Sequence, residues 1–267
     1  MRILAFSDLH GDASTLKLLK NRIMGESYDF ILVAGDLTNA DLISPTERVK
    51  QVKEIFSIME TFRIPYYYVW GIPNREGILS FALEDYEPKA AEEKGILKKE
   101  LGTASWIMAI SQKRNQLFKE TEDFLGSLKY GKHLKEQELV KIGEYWLTSS
   151  PEKIIENTIF LKHHYRKITP KALIQLDGHI HDGQHVLNYL NLGFLYRDGV
   201  HGAPPMIGGY WNLALEGSKV SADFINLGGK LKEFVCPNRP EQGTFFVPFY
   251  WKKCPVCYSQ EKALIKN

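Results

Sequence analysis

Short apolar runs alternate with helix-type patterns at the start of the chain, and this alternation restricts the fold more than any other feature. The apolar runs predict three buried strands, "RILAF" (2–6), "FILVAGD" (30–36) and "PYYYVW" (65–70). The segments between them, residues 12–24 and 44–62, have apolar residues three or four apart and predict amphipathic helices. Such units build a parallel sheet, and the carboxyl ends of its strands share one edge, where binding sites gather.

The remainder of the chain divides by composition. Residues about 84–142 are charge-rich and predict a helical insertion, which either is a solvated decoration or covers a site. Strand-like runs return at "YWLTSS", "NTIFLKH" and "ALIQLDG", and a β-rich stretch follows, with a hairpin turn in "LEGSKV". We therefore predict an α/β main domain over residues 1–230 and a small Cys-containing C-terminal appendage over residues 231–267.

The bulk composition argues against several classes of protein. Hydrophobic residues make up 44% and charged residues 25%, as in ordinary globular domains, and no apolar run reaches the length of a membrane helix. The net charge of +2 gives no electrostatic footprint for nucleic acid. Three cysteines make no disulfide framework, and the N-terminus has no signal-peptide pattern, so we expect a cytoplasmic protein.

Side chains of the types that bind metals follow the predicted strands. They are Asp8 and His10 in "SDLHGD", Asp36 in "AGDLT", Asn74 in "GIPNRE", His163 and His164 in "LKHH", and His179 and His181 in "LDGHIHDG". Each motif alone is weak, since a capping Asp or a hydrogen-bonded core His is common after a strand. Residues two apart in extended backbone point the same way, so Asp8 and His10 are expected to face one point, as are His179 and His181.

The order of these motifs resembles that of the calcineurin-like metallophosphoesterases. The family pattern is D-x-H, G-D, G-N-H-D/E, a lone H and G-H-x-H, matched here by "SDLHG", "AGDL", "IPNRE", "LKHH" and "GHIH". The resemblance spans residues 1 to about 227. It implies a four-layer α/β/β/α sandwich and a phosphate-ester hydrolase in which a metal-bridging hydroxide attacks a phosphodiester or phosphomonoester.

The resemblance also implies a site for two divalent metal ions. Its ligands would be Asp8, His10 and His181 for one ion, Asn74, His163 and His179 for the other, and Asp36 as a bridge between them. His163 is preferred to His164 because the family's ligand directly follows the strand, and the choice reverses if the strand ends one residue later. Imidazole, carboxylate and amide ligands suit Mn, Fe, Zn, Co or Ni better than Ca or Mg. Two such ions outweigh the charges of Asp8 and Asp36 and would attract an anionic phosphate.

One motif departs from the family pattern. Where the family places a His that contacts phosphate, the chain has Arg75, and Pro73 replaces the Gly before Asn74. Either the loop keeps Asn74 as a ligand or the register is displaced. Arg75 can bind a phosphate oxygen in bidentate fashion, but it cannot donate a proton near neutral pH. His164 is a candidate proton donor, and the alternative is that it packs or faces solvent.

The C-terminal appendage contains two Cys-Pro motifs, "CPNR" (236–239) and "CPVC" (254–257). Cys-Pro-x-Cys is typical of a zinc knuckle, but a structural zinc takes four ligands, and Arg239 stands where a fourth Cys would be. Two interpretations stay open. Either Cys236, Cys254 and Cys257 bind a structural zinc, or the knuckle has lost its metal and buries its thiols.

Three functions are compatible with the sequence. The leading interpretation is a binuclear metallophosphoesterase, favoured because every predicted ligand is retained. The second is a catalytically weak scaffold or binding protein that keeps the fold, which the replacement of the phosphate-contacting His by Arg75 would allow. The third is a nuclease whose Cys-containing tail grips nucleic acid, which the bulk charge does not support.

Overall fold

The computed structural model describes residues 1–39, 45–71, 103–165, 167–199 and 205–257. The α-helices are α1 (Ala13–Arg22), α2 (Pro45–Glu60) and α3 (Thr103–Gly126), and short 3-10 helices span Pro151–Lys153 and Pro240–Gln242. The strands of the first half are β1 (Arg2–Phe6), β2 (Phe30–Ala34), β3 (Tyr66–Val69), β4 (Gly131–His133), β5 (Leu139–Ile142), β6 (Tyr145–Thr148), β7 (Thr158–Leu161) and β8 (Ile174–Asp177). Those of the second half are β9 (Gly183–Val186), β10 (Tyr189–Asn191), β11 (Arg197–Asp198), β12 (Met206–Ile207), β13 (Gly209–Glu216), β14 (Lys219–Asn226), β15 (Leu231–Val235) and β16 (Thr244–Pro248).

The strands form two large sheets and one small one. The six-stranded sheet has the order β14-β13-β1-β2-β3-β4, and the eight-stranded sheet has the order β15-β16-β9-β10-β8-β7-β6-β5. The neighbours from β1 to β4 are parallel, and so are β6, β7, β8 and β10. Each sheet therefore has a parallel centre whose strands end at one edge. The third sheet is the pair β11-β12.

The two large sheets face each other across one apolar core. Alternate residues of β1 show how this arises, because Ile3 and Ala5 point into the core between the sheets, whereas Leu4 and Phe6 point to the helices. From the opposite sheet, residues such as Leu161 and Leu176 enter the same core. The consequence is a rigid stack that fixes the strand ends of one sheet against those of the other.

The helices cover the outer face of the six-stranded sheet. Asp12 caps α1 by accepting a hydrogen bond of 3.0 Å from the backbone N–H of Thr15. The apolar stripe of α2 contains buried Val52, Ile55 and Phe56, in the periodicity that the sequence shows. The predicted strands and helices of the first part of the chain are thus confirmed. No helix in the described part of the chain is long and apolar enough to cross a membrane.

Part of the predicted helical insertion is β-structure. α3 begins after Gly102 and ends at Gly126, as the glycine breaks indicate, but residues 131–133 and 139–142 form β4 and β5. The helical prediction for these last residues is wrong, because the pairing of β4 with β3 and of β5 with β6 determines their conformation. Residues 84–102 lie outside the described residues, so the insertion's own limits stay a prediction.

The outer face of the eight-stranded sheet has a different cover. In the described ranges no α-helix packs there, and the connection from β7 to β8 covers the outward side chains instead. The ring of Tyr165 meets Phe160 edge-on, and the backbone N–H of Thr169 donates to Gln175 at 2.9 Å. With two facing sheets, α-helices and a cysteine cluster near the C-terminus, the chain has the mixed α/β arrangement of the predicted fold class.

The start of the predicted appendage is an extension of this sheet. β15 and β16 pair antiparallel, and β16 pairs with β9 through Phe246 and Gly183. The first half of residues 231–267 is therefore anchored to the main domain by backbone hydrogen bonds. The boundary at residue 230 marks a change of composition and stays a prediction as a domain limit.

Glu60 at the end of α2 offers a test of this packing. Its carboxylate accepts hydrogen bonds from the backbone N–H groups of Lys129 at 2.8 Å, Tyr130 at 3.2 Å and Gly131 at 3.2 Å, at the entry to β4. We expect Glu60→Ala to lower the free energy of unfolding by about 1–3 kcal/mol, because these donors lose their acceptor. Chemical denaturation measures the effect. Exposed Glu54 on the same helix gives the control Glu54→Ala, and equal stability of the two variants would contradict the assignment.

Candidate metal centre

The site lies where strands of both sheets end. Asp8 and His10 follow β1, Asp36 follows β2, His163 follows β7, and His179 and His181 follow β8. A hydrogen bond of 2.9 Å from the N–H of His179 to Oδ2 of Asp8 joins the two sheets at this edge. Within the eight-stranded sheet, the N–H of Gly178 donates a hydrogen bond of 2.9 Å to the carbonyl of His163. Polar side chains distant in sequence are thereby brought into one cleft.

Three of these side chains form the first group. Nε2 of His181 lies 3.0 Å from Oδ1 of Asp8, and Nε2 of His10 lies 3.8 Å from the same oxygen. The two Nε2 atoms are 3.2 Å apart. A carboxylate oxygen and two imidazole nitrogens thus converge on one point.

Asp36, His163 and His179 form the second group, with one donor atom from each within 4.8 Å of the others. Nε2 of His163 is 3.3 Å from Oδ2 of Asp36. On the other side of the ring, Nδ1 of His163 lies 2.7 Å from the carbonyl of Ala34. Because a carbonyl can only accept, Nδ1 carries a proton and Nε2 can offer a lone pair to the cleft.

The grouping differs from one expectation based on the sequence. His179 and His181 were expected to face one point because they are two residues apart, yet they belong to different groups. Asp8 and His10 do share a group, but not through extended backbone. Both have positive φ, 53° and 46°, so left-handed turns rather than a strand aim their side chains.

Left-handed backbone is concentrated in this cleft. Nine described non-glycine residues have positive φ, and five belong to the two groups: Asp8, His10, Asp36, His179 and His181. Such conformations cost about 1–3 kcal/mol each and persist where the surrounding structure holds them, characteristically at functional sites. Their coincidence with the metal-type side chains distinguishes this cleft from an ordinary set of turns.

The carboxylates set the electrostatics of the histidines. Burial lowers the pKa of His163, but Asp36 and Asp8 outweigh it and raise the value to about 9. Burial lowers the pKa of His181 too, but the adjacent carboxylate of Asp8 outweighs it and raises the pKa. For His10 burial prevails and the pKa falls. The two carboxylates thus favour the protonated form of His163 and His181, and a metal ion bound there would replace such protons.

The donor atoms fit bound metal ions. Oδ1 of Asp8 and Nε2 of His163 are buried and have no hydrogen-bond partner, although each faces an oppositely polarised group. Ligands around one ion with bonds of about 2.0–2.1 Å are separated by about 2.9–3.4 Å. The 3.0 Å and 3.2 Å separations in the first group, and the 3.3 Å separation in the second, lie in that range.

Comparison with known proteins agrees with this geometry. The family model described as calcineurin-like phosphoesterase matches residues 1–182. The chain belongs to the calcineurin-like phosphoesterase family. No curated protein sequence matches the chain. One solved crystal structure is 10% identical, covers 84% of this chain and 98% of its own, and has a TM-score of 0.50, which concerns the fold alone.

Two further solved structures, both of phosphoesterases, have lower TM-scores. An archaeal phosphodiesterase is 12% identical, covers 84% of this chain and 100% of its own, and has a TM-score of 0.44. The phosphoesterase Yfce from E. coli is 12% identical, covers 85% of this chain and 100% of its own, and has a TM-score of 0.36.

Two residues of this calcineurin-like site have no sequence signal that marks them as site residues. Oη of Tyr196 lies 3.4 Å from Nδ1 of His181, its ring packs edge-on against His10 at 4.7 Å, and its hydroxyl is hydrogen-bonded to Asp198. Ser7 donates its hydroxyl to Oδ2 of Asp8. Tyr and Ser beside a strand end carry no metal-ligand signal, so only the fold reveals them. A metal-type pattern would have found neither.

The other predicted site residues have different positions. His164 follows His163 and stacks edge-on with His179, their ring centroids 4.4 Å apart, so it borders the second group. Asn74 and Arg75 lie outside the described residues. Cys236, Cys254 and Cys257 form a separate cluster. The roles of all these residues as ligands or catalysts stay predictions.

Gly178 makes the close approach of the two sheets possible. A Cβ there would overlap the Ser7 hydroxyl, lie 2.7 Å from Oδ2 of Asp8 and lie 2.9 Å from the carbonyl of Ala34. We expect Gly178→Ala to destabilise the protein by about 1–3 kcal/mol through overpacking, measured by thermal or chemical denaturation. The control is Gly126→Ala, where a Cβ has no neighbour within 4 Å. A Gly178→Ala variant as stable as the control would contradict this account of the site.

Proposed function

We propose that the protein is a binuclear metallophosphoesterase that hydrolyses a phosphodiester or a phosphomonoester. The observation that supports this most is the pair of donor groups at the strand ends, in which five of the six residues have left-handed backbone. Membership of the calcineurin-like phosphoesterase family supports the class of reaction.

The two groups are proposed to hold two divalent transition-metal ions, from among Mn, Fe, Zn, Co and Ni. Asp8, His10 and His181 would hold one ion. Asp36, His163 and His179 would hold the other, with Asp36 shared between them and Asn74 as a further ligand. When bound, such ions supply Lewis acidity toward the phosphorus centre and a nucleophile at neutral pH.

The chain's own residues orient the donors for this task. The carbonyl of Ala34 fixes the tautomer of His163, so that Nε2 is the free donor. Tyr196 can do the same for His181, because a metal-bound Nε2 leaves the proton on Nδ1, which then donates to the Tyr196 hydroxyl. The Tyr196 hydroxyl in turn donates a hydrogen bond to the buried carboxylate of Asp198.

The charge balance favours an anionic substrate. Asp8 and Asp36 contribute two negative charges against the four positive charges of two divalent ions, so the loaded cleft stays positive. Arg75 is proposed to add a phosphate contact, and His164 to act as a proton donor at its border. A cytoplasmic location belongs to the same proposal and is supported by three free cysteines.

Metal content and hydrolysis test the proposal together. We expect purified protein to bind up to two transition-metal ions at the cleft and to hydrolyse an aryl phosphate ester only when loaded. Asp36→Asn should reduce occupancy of both sites and lower kcat/KM by at least about a hundredfold, since one carboxylate serves both groups. Elemental analysis and a colorimetric assay give the two readouts. The control is Asp123→Asn, at an exposed position of α3.

The outcomes separate the competing functions. Absence of metal after Mn or Zn addition would overturn the proposal. Two bound ions without hydrolysis of monoester or diester would favour the scaffold interpretation. Retained activity in Asp36→Asn would mean that the two groups are not one catalytic centre.

Adjacent histidines allow a sharper test of the second group. We expect His163→Ala to lose one metal ion, because its Nε2 faces Asp36. His164→Ala should keep both ions while lowering the rate for substrates with poor leaving groups, if it donates a proton. Metal analysis of the two variants side by side distinguishes them. Loss of metal only in His164→Ala would place the ligand one residue later than proposed.

A further inference from the structure

The cysteines near the C-terminus converge although they come from two separate segments. Cys236 follows β15 directly, whereas Cys254 and Cys257 follow β16, after a turn in which the N–H of Trp251 donates to the carbonyl of Pro248. The three Sγ atoms all lie within 4.8 Å of one another. The chain after β16 thus returns to the end of β15, and the sulfurs mark where the segments meet.

The cluster is inside the protein rather than on its surface. Cys236 is 2% exposed and Cys254 is fully buried, and both pack with Phe245 and Val247 of β16. Cys257 is half-buried and contacts the same cluster. None of the three belongs to the phosphoesterase cleft, and the proposed function gives them no role.

We propose that Cys236, Cys254 and Cys257 bind one Zn²⁺ ion as thiolates. The Sγ atoms of Cys236 and Cys257 are 3.8 Å apart. In a tetrahedral zinc site with Zn–S bonds of about 2.3 Å, neighbouring sulfurs are separated by about 3.8 Å. A disulfide would need these two sulfurs to approach to about 2.05 Å, and it would leave the third thiol unused in the core. The convergence of three sulfurs is explained by a metal and not by a disulfide.

Hydrogen-bond donors surround the sulfur of Cys236. They are the thiols of Cys254 and Cys257 and the backbone N–H of Asn238. Zinc binding forms three Zn–S bonds and transfers the thiol protons to solvent, with no change of oxidation state.

The fourth coordination position is open to a small ligand. Among the residues that the structure describes, no fourth Cys, His, Asp or Glu joins the group. Arg239 stands where the spacing of "CPVC" would put a second cysteine in "CPNR". Water or a free thiol can complete the tetrahedron.

The bound ion would support β9, the strand that follows the turn with His179 and His181. β16 pairs with β9 through Phe246 and Gly183, and Gly183 is two residues after His181. Zinc between the ends of β15 and the segment after β16 fixes this hairpin against β9. The proposed ion is therefore structural, and chemically distinct from the ions of the cleft.

Cobalt substitution tests the site without relying on hydrolysis. Reduced, chelator-treated full-length protein titrated with Co²⁺ should develop a sulfur-to-cobalt charge-transfer band in the near ultraviolet, and Zn²⁺ should abolish it. The cleft has no sulfur donor among its proposed ligands, so Asp36→Asn, which impairs the cleft, should keep the band. Cys257→Ser and Cys254→Ser should each lose it. This readout is independent of whether the cleft hydrolyses phosphate esters.

The results that overturn the proposal are equally specific. Wild-type protein without the band, or Cys257→Ser with an undiminished band, excludes a three-thiolate site. A Cys236–Cys257 disulfide found by mass spectrometry in protein purified under reducing conditions also excludes it. Because Cys254 is fully buried, circular dichroism verifies the fold of Cys254→Ser, and half-buried Cys257 provides the variant that tests the site if Cys254→Ser does not fold.

Discussion

The buried carboxylate of Asp8 is the interaction on which the architecture of the cleft depends. Its side chain is fully inaccessible between the two sheets, where an ionised carboxylate is costly unless it is paired and hydrogen-bonded. Oδ2 accepts hydrogen bonds from Ser7 and from the N–H of His179, and Oδ1 faces His181. The backbone carbonyl of Asp8 also accepts from the N–H of Leu195 at 3.1 Å. One residue thus ties β1 to the segments after β8 and β10.

This arrangement explains how the fold maintains five site residues in unfavourable backbone. At about 1–3 kcal/mol each, their combined cost is comparable to the net stability of a typical domain, about 5–15 kcal/mol. Hydrogen bonds join the turn after β1 to the turn after β2: the N–H groups of Leu9 and His10 both donate to the carbonyl of Asp36, each at 2.9 Å. The turns after β1 and β2 therefore hold each other. Burial of the apolar core between the sheets offsets the energetic cost of the left-handed backbone at the strand ends.

Sequence patterns predicted those parts of the molecule that follow from local periodicity. The strands before Asp8 and Asp36, the helix capped by Asp12 and the hairpin at Gly217 all have local signals. β4 and β5 do not, because such short strands acquire their conformation from the neighbours with which they pair. The same limit applies to the site. Metal-type residues after strands could be found, but Ser7 and Tyr196 have no such signature, and left-handed turns rather than strand geometry divide His179 from His181.

The two proposed metal sites differ in the hardness of their ligands, and this difference determines which metal ions each site prefers. The cleft combines carboxylates such as Asp36 with imidazoles such as His163, a set compatible with several divalent metals, whereas thiolates at Cys236, Cys254 and Cys257 select soft ions. One chain can thus hold ions of different kinds. The two sites are also mechanically linked, because β9 lies between β16 and β10 and directly follows the His181 turn. A metal ion that never contacts the substrate would then limit the movement of His181. The reason is that β9 is held by both neighbouring strands and cannot shift the turn that precedes it.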